Sequence, residues 1–269
     1  MKKRILFKIF NIIKKILSVS FLIFIVSFIV FLSQAVIENK EIRKKIEDFK
    51  AQAIVDEERS IEKVKYYKVS HGTYLKKDSF DEYGNVGTVG DILVKLKAPS
   101  GFEDLPFIED FISYNVGGHA AIISNNDDFY KRVIETQGNS EFNNKVDYSY
   151  NDWMDLTRFQ EFIGLRVKNA TIEDYISASK WAESKINPDE NFFNYNYNFL
   201  INRKNLFYCS DLVSRAYGYE NEELRDKRFK LNYDGLPTTV LDLITSNDTY
   251  IFFYGFIDNN NVKHFYYMD

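Results

Sequence analysis

The sequence predicts an α+β domain behind a single apolar N-terminal helix. Three observations carry that expectation. An uncharged apolar run extends from Ile16 to Ile37. Strand-like and helix-like segments then follow one another without a strict βαβ rhythm. A short amphipathic helix opens on Cys209, the one cysteine of the chain. At 269 residues the chain is long enough to bury a sizeable core, and its length fits one domain plus extras.

Composition narrows the classes. Apolar residues make up 45% of the chain, an ordinary globular share, with 24 Phe and 19 Tyr against 12 Gly and 4 Pro. A net charge of -4 gives no reason to expect nucleic acid, which needs a basic face. One cysteine excludes an internal disulfide and any Cys-cluster zinc or iron-sulfur site. His71, His119 and His264 lie too far apart in sequence to form a recognisable ligand motif. No metal and no cofactor is expected.

Residues 1–15 carry Lys2, Lys3, Arg4, Lys8, Lys14 and Lys15 without an acid, and read as a cytoplasmic start. Residues 16–37 read ILSVSFLIFIVSFIVFLSQAVI. As a helix this run spans roughly 33 Å, enough for a bilayer core of about 30 Å. A cleaved signal peptide is the rival, with Ser33-Gln34-Ala35 at a cleavage-like spacing. The run exceeds a usual signal core, so an uncleaved anchor is expected. Lys40, Arg43, Lys44, Lys45 and Lys50 follow the span and reduce the charge asymmetry. The bulk of the protein is still expected on the extracytoplasmic side.

Residues 38–65 turn charged and helix-favouring, with Ile42, Ile46, Phe49 and Ala53 as one narrow apolar stripe. A solvated helical stalk with one sticky face is the expected reading, with a segment packed on the domain or a pairing surface for a second copy as the alternatives. Fully helical, about 28 residues hold the domain up to ~42 Å from the membrane, which suits a polymer substrate. A stalk folded back reverses that inference.

Residues 66–269 read as the soluble domain. Asp91 to Lys97 alternates as a strand after Gly90, and Phe107 to Ile112 forms a short helix in the long connection that follows. His119 to Ser124 is a second strand. The Asn125-Asn126-Asp127-Asp128 turn joins it to a third, from about Phe129 to Thr136. Phe162 to Val167 is a fourth. Thr171 caps a helix with acids in its first turn and an inner stripe reaching Ile186, which Pro188 ends. The cysteine helix comes next, then a short helix at Val240 to Thr245. A closing hairpin joins Tyr250 to Ile257 with Val262 to Tyr267.

Cys209, Leu212, Val213, Ala216 and Tyr217 share one helical face. A thiol in the first turn faces free amides and the positive end of the helix dipole, which favour the thiolate. Gly117-Gly118-His119 sets a histidine at the mouth of an apolar strand, with small neighbours that leave the ring room. Val133-Ile134-Glu135 sets an acid at the same end of the adjoining strand. That placement fits the logic of a nucleophile, a base and an orienting acid, and spacing alone does not bring the three together. Each residue also has a plain reading: a buried small hydrophobe, a turn-satisfied histidine and a solvated acid.

The order of a GDIL strand, a long loop, a GGHAAII strand, a VIE strand and an FYCSDLV helix resembles the permuted NlpC-like cysteine hydrolases of the YiiX type. The resemblance runs from about Gly90 to Ser246, and Gly-His-Ala and Tyr-Cys-Ser are its most specific matches. It implies a circularly permuted papain-like fold with an antiparallel sheet and flanking helices. It also implies Cys209 as nucleophile, His119 as general base and later acid, and Glu135 as the orienting residue. The backbone N–H of Cys209 and a side chain, Tyr208, Tyr197 or Tyr195, are the implied oxyanion donors. The N-terminal span and stalk lie outside it. The Tyr-Cys-Ser motif argues against the lecithin:retinol acyltransferase branch, which carries Asn-Cys-Glu-His.

The leading expectation is a membrane-anchored amidase or peptidase forming an acyl-enzyme, with cell-wall peptides as the substrate its placement points to. The alternatives are a lipid acyl-hydrolase, thioesterase or acyltransferase using the same triad, and a non-catalytic binding domain on the same fold. The loop from Ala98 to Gly118 fits an apolar lid or plain packing. The partners expected are a peptide, amide or lipid substrate and the membrane itself.

Overall fold

The apolar run and the segment after it form one continuous helix. The computed structural model of the chain describes residues 2–74, 76, 78–97, 117–136, 144–156, 160–187, 189, 192–199, 203–227, 229–232 and 237–269. Helix α1 (Lys2–Lys50) contains a stretch, Ile13–Lys50, whose best window has a mean hydropathy of 2.8 and is 0% buried. It is long and apolar enough to cross a membrane, and a signal sequence meets the same test.

Nine strands make one sheet among the described residues: β1 (Ala53–Val55), β2 (Val64–Val69), β3 (Ile92–Lys95), β4 (His119–Ile123), β5 (Val133–Thr136), β6 (Val146–Ser149), β7 (Glu161–Val167), β8 (Thr249–Ile257) and β9 (Lys263–Met268). Their order is β1-β2-β9-β8-β7-β3-β4-β5-β6, with β2 and β9 parallel and every other pair antiparallel. The helices are α2 (Ile172–Glu183), α3 (Cys209–Tyr217) and α4 (Val240–Thr245). Capping boxes start two of them, from Thr171 with Asp174 and from Thr239 with Asp242. Helix α3 packs on β4, β5 and α2, burying Leu212, Val213, Ala216 and Tyr217. The class is α+β, as expected.

The charged segment after the span docks on this sheet instead of standing clear of it. Ile42, Ile46 and Phe49 are buried in the main core, and Ala53 opens β1. Both terminal nitrogens of Arg43 donate to Glu161, at 2.8 and 2.7 Å, and Tyr254 donates to the same carboxylate at 2.9 Å. Lys45 Nζ donates to the carbonyls of Ile244 and Thr245, at 3.0 and 2.9 Å, closing the C-terminal end of α4.

Several boundaries differ from the sequence reading. The helical stretch stops at Lys50, and β1 and β2 join the sheet, which therefore begins before Tyr66. The expected strand start at Phe129 is a 3-10 turn, because the Asp128 side chain accepts from the N–H of Tyr130 at 3.0 Å. Helix α2 ends at Glu183, before Pro188, and Ile186 packs on the core from beyond it. The expected helix at Phe107 to Ile112, and the loop from Ala98 up to residue 116, lie outside the described residues.

Candidate active site

Strand β4 enters its pairing through a close backbone crossing. A Cβ on Gly118 would lie 1.7 Å from the Lys97 carbonyl oxygen, so no side chain fits there. Gly117 adopts φ +77, with Val240 of α4 against it. The next residue is His119, paired with Lys95 of β3. On its other side β4 pairs Ile122 with Ile134 and Ile123 with Val133. One step further along that register Glu135 faces Ala121, on the same sheet face as His119. The diagonal is short enough for contact: His119 Nε2 and Glu135 Oε2 are 2.5 Å apart, and both residues are buried. The Ser149 hydroxyl adds a hydrogen bond to the carboxylate.

With Nε2 held by Glu135, Nδ1 is the ring nitrogen left for the thiol, and His119 is hydrogen-bonded to Cys209. Cys209 is the first residue of α3 and is partly buried. Tyr208, the N-cap residue, makes no side-chain cap, so the amides of the first turn stay available. The N–H groups of Ala120 and Ser210 both point at the sulfur and lower its pKa. Two contacts fix the entry to this helix. Ser210 Oγ donates to the Thr238 carbonyl at 2.7 Å, and the Tyr208 hydroxyl accepts from the Thr238 N–H.

The electrostatics favour an ion pair. Burial opposes charge on all three groups, and their mutual contacts outweigh it. Hydrogen bonds to Cys209 and Glu135 raise the imidazole to about 9. The same contact with His119 lowers the Glu135 carboxyl to about 2, with Lys95 adding to the effect. The thiol falls below its ordinary value through the hydrogen bond and charge of His119. A thiolate beside an imidazolium, oriented by a carboxylate, is the state these shifts describe.

The structure thus brings together Cys209, His119 and Glu135. The three tyrosines separate. The Tyr208 hydroxyl accepts from the Thr238 N–H, which leaves its own O–H able to donate. Tyr197 is exposed and donates to Asn144 Oδ1 at 2.6 Å. Tyr195 is half-buried near Cys209, whose charge raises its phenol beyond what burial does. An isolated bridge to Phe207 aligns the Tyr195 segment with the approach to α3. Trp153 is a site residue that the sequence reading missed. It stacks on the His119 ring at 6.2 Å and 15°, with Lys95 Nζ 4.6 Å from its centre. It sits in an aperiodic turn, where no pattern marks it. Among the described residues no group of three or more His, Cys, Asp or Glu is placed to hold a metal ion.

No family model and no curated protein matches the chain. Among solved structures it is similar to the metalloprotein yiiX from Escherichia coli O157:H7, of the DUF1105 family, at 15% identity and a TM-score of 0.40. That likeness covers 61% of this chain and 95% of the other. It is a distant one, and the chemistry rests on the geometry of the site itself.

Proposed function

We propose that the protein is a membrane-anchored cysteine hydrolase of amidase or peptidase type, built on a permuted papain-like arrangement. The observation that carries this reading is the hydrogen-bonded series Cys209–His119–Glu135 at the head of a helix. In the first step the Cys209 thiolate attacks an acyl carbonyl, and the negative charge moves to oxygen. The Cys209 N–H, which has no partner within the helix, and the Tyr195 hydroxyl are the donors proposed for that oxygen. The His119 imidazolium gives its proton to the departing amine or alcohol, leaving a thioester. Water then attacks the thioester while neutral His119 takes its proton, and the thiolate is released beside a restored imidazolium. Glu135 keeps the ring aligned and favours its charged form throughout.

Uncleaved α1 with a basic cytoplasmic start would place the site on the extracytoplasmic side, where cell-wall peptides are one amide substrate. The test is mass spectrometry of the intact full-length chain, quenched in acid during turnover of an activated acyl ester. The expected result is a mass increment of one acyl group, mapped to Cys209 and released by hydroxylamine. The Cys209→Ser variant should fold normally and lose turnover. A variant that turns over like the parent, or an acyl group mapped elsewhere, sinks the reading.

A further inference from the structure

The two halves of the candidate site meet at one short helix. Helix α4 supplies no member of the Cys209–His119–Glu135 series, yet its first residues touch the approach to both the histidine and the cysteine. On one side Val240 lies against Gly117, two residues before His119, where an added Cβ would come within 2.7 Å of the Val240 Cβ. On the other side stands Thr238, just before the Thr239 N-cap. Its carbonyl accepts from Ser210 Oγ at 2.7 Å, and its N–H donates to the Tyr208 hydroxyl. Tyr208 and Ser210 flank Cys209 in the chain. Asn232 Nδ2 holds the Thr238 hydroxyl in turn, at 3.0 Å. The apolar face of α3 packs directly on β4, while the Thr238 contacts act at its first turn, where the thiol is. A hydrogen bond between thiol and imidazole weakens steeply with small changes of distance and angle, so that first turn is where positioning counts.

The other end of α4 is held from α1. The carbonyls of a last helical turn need partners from outside the helix. In α4 Asp242 receives the Ser246 N–H at 2.9 Å, and Leu243 receives the Thr249 hydroxyl at 2.7 Å. The remaining two, of Ile244 and Thr245, both accept from Lys45 Nζ, at 3.0 and 2.9 Å. An ammonium there also meets the negative end of the α4 dipole. Ile42 and Ile46, on either side of Lys45, are buried, and α1 packs on both α4 and β8. Arg43 docks the same helix elsewhere, on Glu161 of β7. One helix six residues long therefore joins the segment after the apolar run to both partners of the thiol–imidazole contact.

Resting on the thiol-hydrolase reading, we propose that Lys45 is a positioning residue for that reaction. By holding the end of α4 it keeps Thr238 and Val240 in place against Cys209 and His119, so docking of α1 and the thiol–imidazole contact are coupled. Lys45 acts through α4 and takes no part in the chemistry.

The test is iodoacetamide labelling of Cys209, the one cysteine of the chain, followed against pH on the full-length protein in detergent micelles. The parent is compared with Lys45→Met, Lys45→Arg, Arg43→Met and Ser210→Ala, and circular dichroism melts establish that each is folded at the assay temperature. Lys45→Met keeps an unbranched stem and removes the donors. It should raise the labelling midpoint by about half a pH unit or more and slow labelling below the midpoint about threefold. Lys45→Arg, which still offers donors to the two carbonyls, should restore most of the parent profile. Arg43→Met loosens the docking at β7 and should leave the midpoint where it is. Ser210→Ala cuts the near end of the path without touching α1 and should move the midpoint the same way as Lys45→Met. Equal shifts in Lys45→Met and Arg43→Met overturn the proposal, because loosened docking in general then accounts for both. An unmoved midpoint in Ser210→Ala also overturns it. A parent midpoint already at the ordinary thiol value of 9.0 fails the thiol-hydrolase reading and the proposal with it. A lowered parent midpoint that Lys45→Met leaves unmoved fails the proposal alone.

Discussion

The thiol, the imidazole and the carboxylate set each other's charge, so their pH dependence reports on the whole group. In the proposed mechanism the active form is thiolate with imidazolium. Its acid limb is ionisation of Cys209, below the ordinary thiol value of 9.0, and its alkaline limb is loss of the His119 proton near about 9. A bell-shaped kcat/KM profile between those limits is expected from stopped-flow assays across pH. Glu135→Gln keeps a hydrogen-bond acceptor and removes the charge. It should move the alkaline limb to lower pH and reduce kcat/KM by about tenfold or more. A uniform loss with an unmoved limb would assign Glu135 a packing role only. Stability follows the depressed Glu135 pKa: its contribution is full above the ordinary 4.5 and is lost as pH falls toward about 2. Denaturant midpoints of the parent and Glu135→Gln should therefore converge at acid pH.

The crossing before β4 and the ion cluster under β7 decide whether the elements hold that group. Gly118→Ala forces a methyl into the Lys97 carbonyl, with an expected loss of about 1–3 kcal/mol and slower alkylation of Cys209. Asp91 accepts from Lys76 at 2.8 Å and from Arg166 Nε at 3.0 Å, all of them buried. Asp91→Ala strands two buried cations, so thermal unfolding should show a loss of about 3–5 kcal/mol. Elements with local signals were legible in the sequence. The Thr171 box, the Val240–Thr245 helix and the closing hairpin carry their caps and turns with them. Strand β2 was not legible, because a half-exposed VKYYKV segment becomes a strand through parallel pairing with β9, far along the chain. The end of β4 shared by His119 and Glu135 was legible from the Asn-Asp turn. The placement of Trp153 against His119 and of Tyr208 against Thr238 depends on long-range contacts that no spacing encodes.

At the scale of the whole molecule, the apolar N-terminal helix runs without a break into the segment that packs on the domain. The apolar stripe of Ile42, Ile46 and Phe49 was readable, but its target was not, since the Arg43–Glu161 pair joins residues 118 positions apart. A chain starting at Asn39 keeps that docking and should unfold cooperatively by circular dichroism. One starting at Tyr66 loses β1, the start of β2 and three core side chains, and should not. The central claim is that Cys209 is a thiolate held by His119 and Glu135. Its most direct measurement is the rate of iodoacetamide labelling of Cys209 against pH, in the parent and in His119→Ala. The account predicts fast labelling at neutral pH in the parent, and in the variant slower labelling whose midpoint moves up toward the ordinary thiol value. Identical rates and midpoints in the two proteins would contradict it.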